Sequence, residues 1–231
     1  MKPTYHELMN LQAETLYVLD EHQRIVAINE PLDMKPPAVF VGKTTEGLVT
    51  RFRKDLPQTA IDEILEILEV APDPLNIVRL CSVIERYRKV SDIWMGPAYV
   101  YPGSEARIEC DPDVHLINES NRHLLQKHFP FLYEGLAEHL PAAGYVLGGE
   151  FVSVCCSARL SAKAAEASLK TADSFRGQGL APLVVRAWCE EVSRKGLIPL
   201  YSTSWDNLSS QNVARMLGLR PYGMDLSIRT E

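Results

Sequence analysis

No run of about twenty apolar residues occurs anywhere in the chain, so no membrane-spanning helix is expected. The opening stretch "MKPTYHELMNLQAETLYVLDEH" carries charges throughout and lacks an apolar core, which argues against a signal peptide. Basic charge is not in excess: the 231 residues sum to a net charge of −6. A general nucleic-acid binder needs a positive field, so that class is set aside, and cationic or neutral small partners suit the balance better. There is no CxxC pair among the five cysteines, and Cys155 and Cys156 are adjacent. Neither a zinc site nor a disulfide framework is indicated; reduced thiols in a cytoplasmic protein fit instead. His115, His123, His128 and His139 lie near one another in sequence. His123 and His128 are five apart, which does not place them on one helical face, so no metal is expected.

What is present is an alternation of strand and helix signals. Residues 4 to 16 read as an amphipathic helix, and "LYVLD" and "RIVAINE" as two strands about the polar turn "EHQ". "AVFVGKTTEGLVTRFR" reads as a hairpin turning at "KTTEG". Helices are expected over "LPQTAIDEILEILEVA", which Pro57 opens, and over "NIVRLCSVIERYRKV". Residues 1–95 are therefore taken as one small α+β domain, and the Pro- and Gly-containing residues 96–112 as a linker or crossing segment. From 113 to 231 the expected order is β-α-α-β-β-β-α-β-α-β. "DVHLIN" is a strand, "ESNRHLLQKHF" and "FLYEGLAEHL" are two helices, and "GYVLGGEFVSVCCSARL" is a hairpin across Gly148-Gly149.

The stretch "SFRGQGLAPLVVRAWCEEVSRKG" carries the main clue to function. Leu180, Leu183, Val184, Ala187, Trp188 and Val192 keep helical spacing, and Pro182 falls in the first turn, where its missing N–H is harmless. Gly177 and Gly179 then sit at the helix N-terminus, where free N–H groups and the helix dipole attract anions. Bare glycines would let a pyrophosphate approach the backbone, and Arg176 adds a charge to pair with it. The plainer alternative is a tight strand-to-helix turn. The turn is not a Walker loop, since no Lys-Ser or Lys-Thr follows, and Pro182 stands where a dinucleotide fingerprint needs its third glycine.

The pattern Arg176-Gly177-Gln178-Gly179-Leu180-Ala181 resembles the acyl-CoA pyrophosphate loop of the GNAT acyltransferase superfamily. "AEASLKTADSFRGQGLA" resembles that superfamily's fourth strand and loop. "LIPLYSTSWDN" and "NLSSQNVARMLGL" resemble its fifth strand and the helix after it. The resemblance covers about residues 113–229. It implies an α/β (α+β) fold with a mixed, mostly antiparallel, splayed sheet flanked by helices, plus the additional N-terminal α+β domain.

The same resemblance implies roles. Backbone groups of Leu169, Lys170 and Thr171 would bind the pantetheine arm, and N–H groups of Gly177, Gln178, Gly179, Leu180 and Ala181 the pyrophosphate beside Arg176. Asn207 would contact the arm, with Ser210 one turn on; a plain helix cap is the other reading of Asn207. An amine must lose a proton before it attacks a thioester. Glu166, ten residues before Arg176, is the candidate base, and a structural role is its alternative. The family's usual acid is a tyrosine four residues before the glycine that ends the last helix; here that position is Ala214. Ser210, Tyr222 or water would have to protonate the leaving thiolate. Cys155 and Cys156 point to opposite faces of a strand, and an acyl-cysteine is disfavoured because transfer in this family is direct. Trp205 is read as core or as a wall of the acyl pocket.

The function implied is transfer of an acetyl group from acetyl-CoA to an amine of a small molecule or peptide. A catalytically silent acyl-CoA sensor is the alternative, and an interaction protein that keeps the fold without the cofactor is a third reading. Acceptor choice is expected to fall to the helices after "DVHLIN", the sheet around Ser153–Ser157 and the N-terminal domain. A homodimer is compatible with the sequence.

Overall fold

The computed structural model describes residues 3–30, 34–70, 74–103 and 111–231. The first half runs α1 (Tyr5–Leu16), β1 (Tyr17–Leu19), β2 (Ile25–Ile28), β3 (Val39–Thr44), β4 (Gly47–Phe52), α2 (Gln58–Val70), α3 (Ile77–Glu85) and β5 (Val90–Val100). The second half runs β6 (Val114–Leu116), α4 (Pro130–Glu134), β7 (Ala142–Leu147), β8 (Glu150–Leu160), β9 (Ala164–Thr171), α5 (Leu180–Arg194), β10 (Ile198–Ser202), α6 (Leu208–Met216) and β11 (Arg220–Thr230). The fold is a mixed, mostly antiparallel sheet with helices. Among the described residues no helix is long and apolar enough to cross a membrane.

Two compact units divide the chain: Met1–Ala98 with Tyr222–Glu231, and Tyr99–Pro221. The sequence reading placed residues 222–231 in the C-terminal domain and treated 96–112 as a linker. Residues 96–100 are instead strand, because "GPAYV" continues the extended run begun at Val90. Residues 104–110 of that segment lie outside the described residues.

In the first unit, Thr4 caps α1: its Oγ1 accepts from Glu7 N at 3.1 Å, and Glu7 Oε2 accepts from Thr4 N at 2.7 Å. Strands run in the order β4-β3-β11-β5, with β3 antiparallel to both neighbours, and β1 and β2 form a separate hairpin. Ile61, Ile64 and Leu68 of α2 and Leu80 and Ile84 of α3 pack with Val39, Val41, Leu226 and Ile228. The apolar spacing of each helix puts its stripe on that core.

The second unit carries the order β10-β9-β8-β7-β6. The β9/β10 pair is parallel; the hairpin β7–β8 and its neighbours are antiparallel. One cluster contains Val184, Trp188 and Val192 of α5 with Cys155, Ala165, Tyr201 and Ala214. Another contains Leu125, Phe129, Leu132, Leu136, Val154 and Cys156. Adjacent cysteines fall in different clusters because successive strand residues face opposite ways.

The two helices expected after "DVHLIN" are much shorter than their sequence windows. Arg122–Leu125 and Leu136–His139 are single 3-10 turns, and α4 is five residues long. Pro130 forces Phe129 out of the helical region (φ −135°, ψ 57°), and Gly135 ends α4. The apolar residues still reach the core, but as separate short turns.

Candidate functional site

The site begins where β9 and β10 stop pairing. Their parallel register holds at Ile198↔Ala164, Pro199↔Ala165 and Leu200↔Glu166, and ends there. β9 continues beside β8 as far as Ser153↔Thr171. Among the described residues, Ala167–Thr171 have no registered partner in β10, so the strands fork. Leu169, Lys170 and Thr171 lie along this unpaired edge, as the sequence reading requires of residues that add a ligand by backbone hydrogen bonding. Their side chains are spent elsewhere. Leu169 packs in the α5-side cluster, Lys170 Nζ lies 5.2 Å from the centre of the Phe131 ring, and Thr171 Oγ1 is 2.8 Å from Ser153 Oγ.

Glu166 stands at the crotch of the fork and is 3% exposed. Its Oε1 accepts from the Ser202 N–H at 3.0 Å and from the Ser202 hydroxyl at 2.6 Å. Its Oε2 is buried and has no hydrogen-bond partner. Arg159 is its cross-strand neighbour in β8, beyond an irregularity between Ser157 and Arg159. Burial pushes the Glu166 carboxyl above the usual carboxylate range, against the Ser202 bonds and the Arg159 charge, which pull it down. One carboxylate oxygen is thus held twice and the other is left without a hydrogen-bond partner.

The loop after β9 turns sharply into α5. Asp173–Phe175 make one 3-10 turn, Arg176 is extended, and α5 starts at Leu180. Gly177 and Gly179 have φ of +75° and +77°, which a side chain would strain. A Cβ built on either meets no atom within 4 Å. Backbone conformation, rather than crowding within the protein, therefore demands glycine, and the space above them is open. Gly179 is the N-cap of α5, and no side chain caps that end. Arg176 is exposed; its Nη2 pairs with Asp173 Oδ1 at 2.8 Å, and its Nε donates to Thr171 O at 3.4 Å. Gln178 Nε2 donates to Ser174 O at 3.4 Å, steadying the turn. The Leu180 and Ala181 side chains pack toward the core, which leaves their N–H groups as what they can offer an anion.

On α6, Asn207 is the N-cap and its Oδ1 accepts from Ser210 N at 3.0 Å. Capping is thus a role the structure displays for Asn207. Ser210 Oγ lies 2.5 Å from the hydroxyl of Tyr201, a residue the sequence reading passed over. Tyr201 comes from β10 and packs in the cluster that contains Ala214. Burial holds the Tyr201 phenol well above its ordinary pKa, so it keeps its proton. Tyr222 is a correction. It belongs to the first unit, is 2% exposed, and donates to Gln12 Oε1 at 2.6 Å, with Gln12 donating on to Asp225 Oδ2 at 2.5 Å. Its proton is committed inside a buried polar network, so it is not carried forward as an acid.

Trp205 is 47% exposed and is not a core residue. His128 Nε2 lies 3.3 Å from Glu150, and His139 Nδ1 is 3.1 Å from Ser157 O. Among the described residues no group of three His, Cys, Asp or Glu side chains converges on one point. Burial lifts the Cys156 thiol to about 12 and pushes that of Cys155 well above its ordinary value, so both stay protonated at neutral pH. Sequence reasoning named Glu166 but not Ser202, because their meeting depends on the β9/β10 register across 36 residues.

A forked β-sheet and a glycine turn leading into a helix at the end of one fork strand thus lie together in the second unit. Residues 110–223 match the family model described as GNAT acetyltransferase, and this part of the chain belongs to that family. Among solved structures, an acetyltransferase of the GNAT family from Colwellia psychrerythraea matches at 12% identity and a TM-score of 0.53. That match covers 100% of this chain and 98% of the other. A GCN5-related N-acetyltransferase from Kribbella flavida matches at 12% identity and a TM-score of 0.52, covering 100% and 96%. A GCN5-related N-acetyltransferase-like protein from Streptococcus suis matches at 15% identity and a TM-score of 0.50, covering 84% of each. At these identities the likeness is one of fold. No curated protein matches the chain.

Proposed function

We propose that the protein transfers an acetyl group directly from acetyl-CoA to the amine of a small molecule or peptide in the cytoplasm. The observation that carries this reading is Glu166, buried at the strand fork with Oε1 held by Ser202 and Oε2 unpartnered. In the proposed step the acceptor reaches the fork as an ammonium and loses a proton to Glu166, directly or through a water. The neutral nitrogen attacks the thioester carbonyl carbon, a C–N bond forms, and the C–S bond breaks. The nitrogen passes its remaining excess proton to water, and the thiolate leaves as free thiol after taking a proton from water or from the Ser210 hydroxyl, which water reprotonates. The unpaired edge at Leu169–Thr171 supports binding of the pantetheine arm, and the turn from Arg176 to Ala181 supports binding of the pyrophosphate. Asn207 adds an amide near the arm in this reading.

Absence of a tyrosine at position 214 favours one competing reading, a silent acyl-CoA sensor. A screen of primary amines with acetyl-CoA, read as release of free thiol, tests the two. Turnover by the wild type, lost by at least about a hundredfold in Glu166→Gln with acetyl-CoA affinity retained, supports the enzyme. Acetyl-CoA binding with no turnover on any amine supports the sensor.

A further inference from the structure

Among the described residues, Ser202 holds Glu166 by two separate groups. Its N–H, two positions beyond Leu200, the last residue β10 registers with β9, goes to the Glu166 carboxylate. In an unbroken parallel ladder that N–H would continue toward strand backbone. Its hydroxyl adds a second, shorter bond to the same oxygen. Both bonds fall on Oε1, and the other oxygen is left buried without a partner. A main-chain donor and a side-chain donor of one residue thus converge on a single oxygen. A merely structural carboxylate would have both oxygens satisfied, since an unmet buried acceptor is costly.

We propose that Ser202 is the positioning residue of Glu166: by holding Oε1 through N–H and O–H it ends the β9/β10 ladder and reserves Oε2 for the acceptor's proton. This rests on the reading of Glu166 as the proton acceptor. Besides burial, Ser202 on β10 bears on the carboxylate through its hydroxyl and N–H, and Arg159 on β8 through its charge; the Glu166 charge in turn acts on the Tyr201 phenol. Of these, Ser202 alone donates to it.

The test uses the full chain labelled with 13C at the glutamate side-chain carbonyl, titrated by NMR across the acid and neutral range. Glu166 is identified as the signal missing from Glu166→Gln. Hydrogen bonds to a carboxylate favour its charged form, so in Ser202→Ala the Glu166 carboxyl should become about a tenfold weaker acid. Ser202→Thr keeps a hydroxyl and should titrate as the wild type does. Acetyl-CoA affinity, by calorimetry, should stay within about twofold in both variants, because the loop that binds the cofactor is untouched. A Glu166 signal that stays in place or moves to lower pH in Ser202→Ala overturns the proposal. So does a loss of acetyl-CoA affinity shared by Ser202→Ala and Ser202→Thr, which would make the residue a scaffold of the fork. The underlying reading fails by a different result: retained amine acetylation in Glu166→Gln.

Discussion

At the scale of single residues, the decisive quantity is how Glu166 holds its proton. Burial raises its folded-state pKa above the value it has in the unfolded chain. The folded protein therefore binds this proton more tightly, and stability attributable to the group is greatest on the acid side. That contribution falls as pH rises from the ordinary glutamate range through the raised folded value. Replacing Glu166 by Gln removes the titration. The melting temperature of the Gln variant, relative to wild type, should rise with pH across that window and level off above it; a flat difference would contradict the burial argument. Activity should run the opposite way, since a proton acceptor must be ionised. The acid limb of wild-type kcat/KM for an accepted amine should then lie above the ordinary glutamate range, and its absence would remove Glu166 from the step. Charge at Arg176 belongs to the same scale. Arg176→Glu puts a carboxylate beside the expected pyrophosphate and should weaken acetyl-CoA binding by at least about tenfold in calorimetry.

At the scale of elements, helix N-termini carry the argument. Gly179 caps α5 in a left-handed conformation with nothing near a would-be Cβ. Gly179→Ala therefore tests strain alone, and should cost about 1–2 kcal/mol in denaturant unfolding. Asn207 offers a cleaner separation of two roles. Asn207→Ala removes the α6 cap and should lower stability by about 1 kcal/mol, whereas Asn207→Ser keeps a capping oxygen and most of that stability. If Asn207 also contacts the pantetheine arm, both variants lose acetyl-CoA affinity; if it only caps, the Ser variant binds like the wild type. The short turns between β6 and β7 teach a related lesson. Apolar periodicity in "ESNRHLLQKHFPFLYEGLAEHL" marked which residues are buried, but Pro130 and Gly135 broke the helices that periodicity alone suggested.

At the scale of the whole molecule, the two units divide the sequence differently from a linear reading. Residues 222–231 complete the first unit's sheet, and Tyr222 sits in its interior with Gln12 and Asp225. Tyr222→Phe leaves Gln12 Oε1 without its buried donor. It should destabilise the protein by about 1–3 kcal/mol while leaving acetyl-CoA affinity within about twofold. Loss of acetyl-CoA binding in that variant would return Tyr222 to the functional site.

The sequence by itself determined those features that local chemistry dictates. Glycine at 177 and 179 marks a backbone that turns through positive φ. The spacing from Leu180 to Val192 marks the helix after it, and Cys155-Cys156 marks the alternation of a buried strand. Each depends on residues close together in the chain. Only tertiary structure decided that β10 releases β9 after Leu200, that Ser202 turns its N–H and hydroxyl to Glu166, and that Tyr222 belongs to another interior. Those outcomes depend on register between distant strands, and a shift of one residue would reverse which side chains share a face. No local propensity encodes that register; it is set by the burial of both sheet faces at once.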